Sequence, residues 1–141
     1  MIVHDIYRNA SKWKLTGRLA TNQKYTDRKR SKLHLAARDL ISEIFPTLQI
    51  LEEVPIKISS RKKLYLDFYL PLVKLAIEVN GEQHYKFSSL YHKDKWDFIT
   101  QRKNDTLKQQ WCDINTIDMI TLPYNEKIDE WRKRLSCSEN E

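Results

Sequence analysis

Asp67 and Glu78 each interrupt a run that otherwise reads as core: Leu64-Tyr65-Leu66-Asp67-Phe68-Tyr69-Leu70 and Val73-Lys74-Leu75-Ala76-Ile77-Glu78-Val79. Side chains alternate along a strand, so Leu66, Phe68 and Leu70 share one face while Tyr65, Asp67 and Tyr69 share the other. In the second run Leu75, Ile77 and Val79 oppose Lys74, Ala76, Glu78 and Asn80. An antiparallel hairpin closed through Pro71-Leu72 sets Asp67 across from Glu78 on one face. Opposed like charges destabilise a half-buried sheet by about 0.2–1 kcal/mol, and a divalent cation between them would turn the repulsion into attraction. The plain alternative is two acids on an exposed hairpin face, paired with Lys63 or Lys74.

The residues after Glu78 favour the chemical reading. The strand leads into Asn80-Gly81-Glu82-Gln83-His84-Tyr85, where one of only two glycines in the chain precedes a dense polar cluster. Gly81 permits close approach of a ligand to the strand end. An acid at a strand end with a second acid on the neighbouring strand is how oxygen ligands are placed around a magnesium-type ion.

These residues need elements to position them. Ser31 reads as an N-cap, and Leu33, Ala36, Ala37, Leu40, Ile41 and Ile44 repeat at helical spacing over 32–45 until Pro46 stops the helix. Gln49–Pro55 reads as an irregular first strand, and the basic turn 59–63 enters the hairpin. A long helix runs from Asp94 or Lys95 to about Trp111 on a thin apolar stripe of Trp96, Ile99, Leu107 and Trp111, with Trp96 and Trp111 assigned to the core. A strand over 114–122 and a helix over 126–135 complete the chain. Residues 1–30 read as a basic arm with interleaved aromatics, including a short helix over 6–15. The order predicts an α/β fold: one domain over 31–141, a central mixed sheet flanked by helices.

The chain has 141 residues, enough for one domain with its own core. Its 25 Lys and Arg against 19 Asp and Glu give a net charge of +6, which favours a polyanionic partner, nucleic acid first. Cys112 and Cys137 lack metal-ligand spacing and read as reduced thiols. No apolar run approaches a membrane span and no signal-peptide core opens the chain, so a cytoplasmic protein without membrane association is expected.

Taken together, Leu66-Asp67-Phe68-Tyr69-Leu70-Pro71, Ile77-Glu78-Val79-Asn80-Gly81-Glu82-Gln83-His84-Tyr85 and the helix segment from Lys103 to Cys112 resemble the PD-(D/E)XK nuclease superfamily, the restriction-endonuclease-like fold. The resemblance spans roughly residues 31–124 and points to the branch of very-short-patch-repair-type and phage-borne or homing endonucleases. It implies a phage- or mobile-element-encoded endonuclease that hydrolyses DNA phosphodiesters with Mg2+ or Mn2+, held by Asp67, Glu78 and the Val79 carbonyl. Asn80 stands where the signature carries lysine. Gln83, His84, Lys103 and Lys108 are the candidates to supply the missing hydrogen bonding or charge. The first-helix position that often carries glutamate is His34, and Glu43 is the next acid along that helix. Arg28, Lys29, Arg30, Lys62, Lys86, His92 and Gln101 are the candidate DNA contacts, and homodimer formation is left open. Two other readings compete: a DNA-binding module on the same scaffold that has lost turnover, for which Asn80 is the discriminating feature, and a phage protein that binds a host factor.

Overall fold

The structure is a computed structural model that describes residues 1–15, 18–19, 32–81 and 95–139. Its elements are β1 (Ile2–His4), β2 (Ala10–Lys12), β3 (Arg18–Leu19), α1 (Lys32–Ile44), β4 (Leu51–Ser59), β5 (Lys62–Leu70), β6 (Leu75–Asn80), α2 (Lys95–Ile114), β7 (Asp118–Pro123) and α3 (Ile128–Glu139). The sheet order is β3-β4-β5-β6-β7, antiparallel except for the parallel pair β6–β7. The fold is therefore mixed α/β, as the order of elements predicts, with α2 as the crossover that a parallel pair requires.

Two apolar layers hold the sheet. On one face α1 (Ala37, Leu40, Ile41) and α3 (Trp131, Leu135) pack with Phe68, Leu70, Leu75 and Ile77. On the other, Trp111 and Cys112 of α2 and Val3 and Trp13 of the first hairpin pack with Leu66, Tyr69 and Ala76. Covered on both faces and paired on both edges, β6 is buried from Leu75 through Glu78.

The amino-terminal segment differs from expectation. Residues 6–15 hold no helix; β1 and β2 form an antiparallel hairpin. Asp5 turns it, because Oδ1 accepts from the backbone N–H groups of Tyr7 (2.8 Å) and Asn9 (3.0 Å), an Asx-type turn that competes with a helical ladder. Trp13 is 8% exposed and its ring meets Tyr69 and Trp111 at centroid distances of 4.7 and 5.0 Å. Its Nε1 donates to the Pro55 carbonyl at 2.9 Å, and the Ile6 N–H donates to the Ile58 carbonyl at 3.1 Å. The first 13 residues thus cover the outer edge of β4 past Leu51 and Glu52, where β3 pairs with it among the described residues. A Pro is tolerated at such an edge because its position needs no ladder donor, so β4 runs on to Ser59 rather than ending at Pro55.

Strand alternation also breaks once. Leu66 packs on the α2 face while Phe68 and Leu70 pack on the α1 face. Opposite Asp67, Glu53 sits in the left-handed region at φ 54°. The sheet changes face at this point, where β5 also leaves β6.

Candidate functional site

The β5–β6 ladder pairs Leu70 with Leu75, Tyr69 with Ala76 and Phe68 with Ile77, and continuing that register sets Asp67 opposite Glu78. The ladder stops there, and the two acids take over the backbone groups it leaves open. The Asp67 N–H donates to Glu78 Oε2 at 2.8 Å, and the Val79 N–H donates to Asp67 Oδ2 at 2.9 Å. Each carboxylate thereby closes on the opposite strand. The four-residue turn Pro71–Lys74, with Lys74 at φ 51°, is the link that fixes this register.

Glu78 is 5% exposed and shares the α2 face with Ala76, so it meets whatever that helix presents. It meets Lys108, whose Nζ lies 2.8 Å from Oε1. The ammonium is thus the close partner of a carboxylate oxygen that is shut off from solvent. Burial first, and then the charge of Asp67, push the Glu78 carboxyl well above the usual range, while Lys108 pulls it part of the way back. Burial would lower the Lys108 ammonium, but Glu78 and Asp67 outweigh it and hold the ammonium above its ordinary value. Burial also pushes the Cys112 thiol and the Tyr69 phenol up to about 12, so neither behind the site is a proton donor or acceptor near neutral pH.

A half-open cleft of about 60 Å³ adjoins the pair and is lined by Glu78, Asn80, Asp105, Lys108, Gln109, Met119 and Thr121. Thr121 arrives from β7 in register with Glu78. Asp105 stands three residues before Lys108 on the same helical face. Neither was among the sequence candidates, although the Asp105-x-x-Lys108 spacing was open to inspection. Asn80 is fixed from behind, its carbonyl accepting from the Tyr124 N–H at 2.8 Å.

The remaining candidates scatter. Lys103 is exposed and five residues from Lys108, roughly 140° around the helix, so it points away from the acids. Glu43 is exposed too and pairs with Arg132 of α3 at 3.1 Å, not with the sheet. His34 bonds to Glu52 at 2.9 Å and stacks on Phe68 at 4.6 Å; Arg38 approaches the same buried carboxylate at 3.7 Å. That cluster ties α1 to β4 on the face opposite Lys108. Lys62 opens β5, about 17 Å along the strand from Asp67. Gln101 is half-buried on α2. Trp96 does not join the core: it is 74% exposed, since the first turns of α2 expose its side of the helix. Gln83, His84, Lys86, His92, Arg28, Lys29 and Arg30 lie outside the described residues.

Glu78, Asn80, Asp105 and Thr121 of the cleft lining, all among the described residues, offer oxygen to a cation. Among the described residues no three His, Cys, Asp or Glu side chains gather closely enough to hold a metal ion. Two carboxylates with water and substrate oxygens are what magnesium commonly takes, and Asp67 and Glu78 are a carboxylate pair set across two neighbouring strands. Among those residues, too, no helix is long and apolar enough to cross a membrane.

No protein-family model matches the chain, and no solved structure matches it. It is similar to viral proteins over about half its length. It is 44% identical over 64 residues to uncharacterized protein 307L of Invertebrate iridescent virus 6, covering 45% of this chain and 32% of that protein. It is 34% identical over 67 residues to uncharacterized protein 033L of Invertebrate iridescent virus 3, 48% and 34% of the two chains. To uncharacterized protein 094L of Frog virus 3 it is 37% identical over 67 residues, 47% and 43% of the two. The matched segment thus spans less than half the length of each of these relatives.

Proposed function

We propose that the chain is a virus-encoded, metal-dependent DNA endonuclease of the PD-(D/E)XK type, with a restriction-endonuclease-like fold and its site at the point where β5 parts from β6. The observation that carries this reading is that Glu78, which accepts from the Asp67 N–H, meets Lys108 at one cleft. The signature lysine missing at Asn80 has a counterpart in Lys108, which arrives from α2 rather than from the strand. On this reading Asn80 need not mark a scaffold that has lost turnover.

Asp67 and Glu78 would hold magnesium or manganese, with the Val79 carbonyl as a further oxygen, and the ion would supply an activated water and charge stabilisation at the phosphate. The protein's own parts are then distinct. The Val79 N–H holds Asp67 Oδ2, so the carboxylate is oriented before substrate arrives. Lys108 offsets part of the cost of ionising the buried Glu78 and places a cation where negative charge grows on a scissile phosphate. Asn80 and Thr121 offer neutral hydrogen-bonding groups at the rim for water or phosphate oxygens. The net charge of +6 favours docking of a polyanion.

Incubating the full chain with plasmid, branched and single-stranded DNA, with and without Mg2+ or Mn2+, tests the proposal. Nicking that needs the metal and disappears in Glu78→Gln supports it. Binding without cleavage of any form would favour the DNA-binding module, and no DNA affinity at all would favour a protein partner.

A further inference from the structure

Four tryptophans occur in the chain. Trp13, Trp111 and Trp131 are 8%, 0% and 1% exposed, whereas Trp96 is 74% exposed. A large aromatic left in water on a rigid helix is unusual for core packing and usual for recognition. Trp96, Ile99 and Lys103 follow at i, i+3 and i+7, so they share one face of α2, and Ile99 is itself 53% exposed. Residues 95–103 carry three cations, Lys95, Arg102 and Lys103, against one acid, Asp97. Arg102 is turned about 120° from Trp96 and lies over the Phe98 ring, 5.7 Å from its centroid, which leaves Lys95, next to Trp96 in sequence, and Lys103, on its face, as the cations of this segment that flank it.

We infer that this face of α2 is a stacking platform for an unpaired nucleic-acid strand: Trp96 takes the face of a base, and Lys95 and Lys103 take the flanking phosphates. The inference rests on the nuclease reading of the cleft for its substrate, which it narrows to DNA with a single-stranded portion, such as a flap or junction. Base-on-aromatic stacking beside cations is how sequence-tolerant single-strand binding works. A paired base, by contrast, must first leave its own stack. Trp96 precedes Lys108 by 12 residues, about 18 Å along the helix axis. That length corresponds to about five stacked nucleotides at 3.4 Å each. Trp96 also lies about 120° around α2 from Lys108, so a strand stacked on the platform reaches the cleft by passing around the helix.

The test uses the full chain without metal, the single-stranded form of an oligonucleotide of about 20 nucleotides, the matching duplex, and a duplex bearing a single-stranded flap. Trp96 supplies nearly all the solvent-exposed tryptophan emission, so the single strand and the flap should quench it and the blunt duplex should not. By anisotropy of labelled DNA, Trp96→Ala should weaken binding of the single strand roughly 10- to 100-fold and leave the duplex within about threefold, while Trp96→Phe retains most of the affinity. Single-strand affinity unchanged in Trp96→Ala overturns the inference, as does equal loss on both forms. Emission that ignores DNA but shifts with protein concentration also overturns it, assigning the face to a second copy of the chain. Failure of the nuclease reading looks different: the Trp96-dependent preference persists while no DNA form is cleaved with either metal. Conversely, cleavage of blunt duplex that is the same in Trp96→Ala leaves the nuclease standing and removes the platform.

Discussion

Lys108→Met keeps the length of the side chain and removes its charge, leaving Glu78 buried beside Asp67 with no cation. Breaking a buried ion pair from one side costs about 3–5 kcal/mol, but here the acid has an escape, since it can take up a proton. From its ordinary value of 4.5, holding a proton on Glu78 at pH 7.5 costs at most about 4 kcal/mol, and at pH 5 less than about 1 kcal/mol. Some of that cost exists already in the parent, whose Glu78 is raised. We therefore expect a loss of about 2–4 kcal/mol at pH 7.5, on the order of 10 °C in Tm for a chain of this size, shrinking to about 1 kcal/mol or less at pH 5. The sign follows from linkage. A carboxyl whose folded-state pKa is raised makes the folded form hold the extra proton, so its stability contribution is full below the unfolded value and drains away as pH rises through the folded one. Thermal melts of both proteins at pH 5, 6.5 and 8 measure the gap, and on the nuclease reading the same substitution lowers cleavage by about 100- to 1,000-fold. A stability gap that stays constant with pH, or widens toward pH 5, would refute the pairing of Lys108 with a buried, raised Glu78.

Asp67→Asn keeps a carbonyl oxygen for the Val79 N–H and removes the charge facing Glu78; it should stabilise the metal-free protein by about 0.5–1 kcal/mol near pH 7.5 while abolishing metal-dependent cleavage, and a melt showing destabilisation would contradict the repulsion assigned here. Trp13→Ala should cost about 3–5 kcal/mol by denaturant titration, whereas a detachable arm would make it neutral. Affinity for duplex DNA should fall with a log–log salt slope of about −0.9 per phosphate neutralised; a flat response would move the +6 charge to some other partner.

The shared face of Asp67 and Glu78 was legible from alternation, but their register was not: a link of Pro71-Leu72 alone would pair Leu70 with Val73 and Asp67 with Ala76. Val73 and Lys74 instead belong to a four-residue turn, which shifts the register by two and brings Glu78 opposite Asp67. The first hairpin was not legible. Its strands are three residues each, too short for a period, and it is set by an Asp5 turn with Arg8 at φ 68° and by Trp13 docking on residues more than forty positions away. The face change between Leu66 and Phe68 was hidden too, because it depends on the backbone of the neighbouring strand at Glu53.

Lys108 against Lys103 turns on helical phase. Reading α2 from the stripe Trp96, Ile99, Leu107 and Trp111 centres the buried side on residues of which two are more than half exposed. The two fully buried positions, Trp111 and Cys112, give a different centre. At 100° per residue, Lys108 lies 60° from Trp111 and 40° from Cys112, on opposite sides, so it falls between them, and Asp105 falls within 20° of Cys112. Lys103 is 180° from Cys112. Anchored on its buried carboxy-terminal turns, the helix brings Lys108 and Asp105 to the acids and leaves Trp96 outside. Hydrophobicity alone misleads here because α2 has two apolar faces, one that packs and one that stays in water. Asp105 and Lys108 lie within the packing face, beside Trp111 and Cys112, because that face covers the charged cleft as well as core.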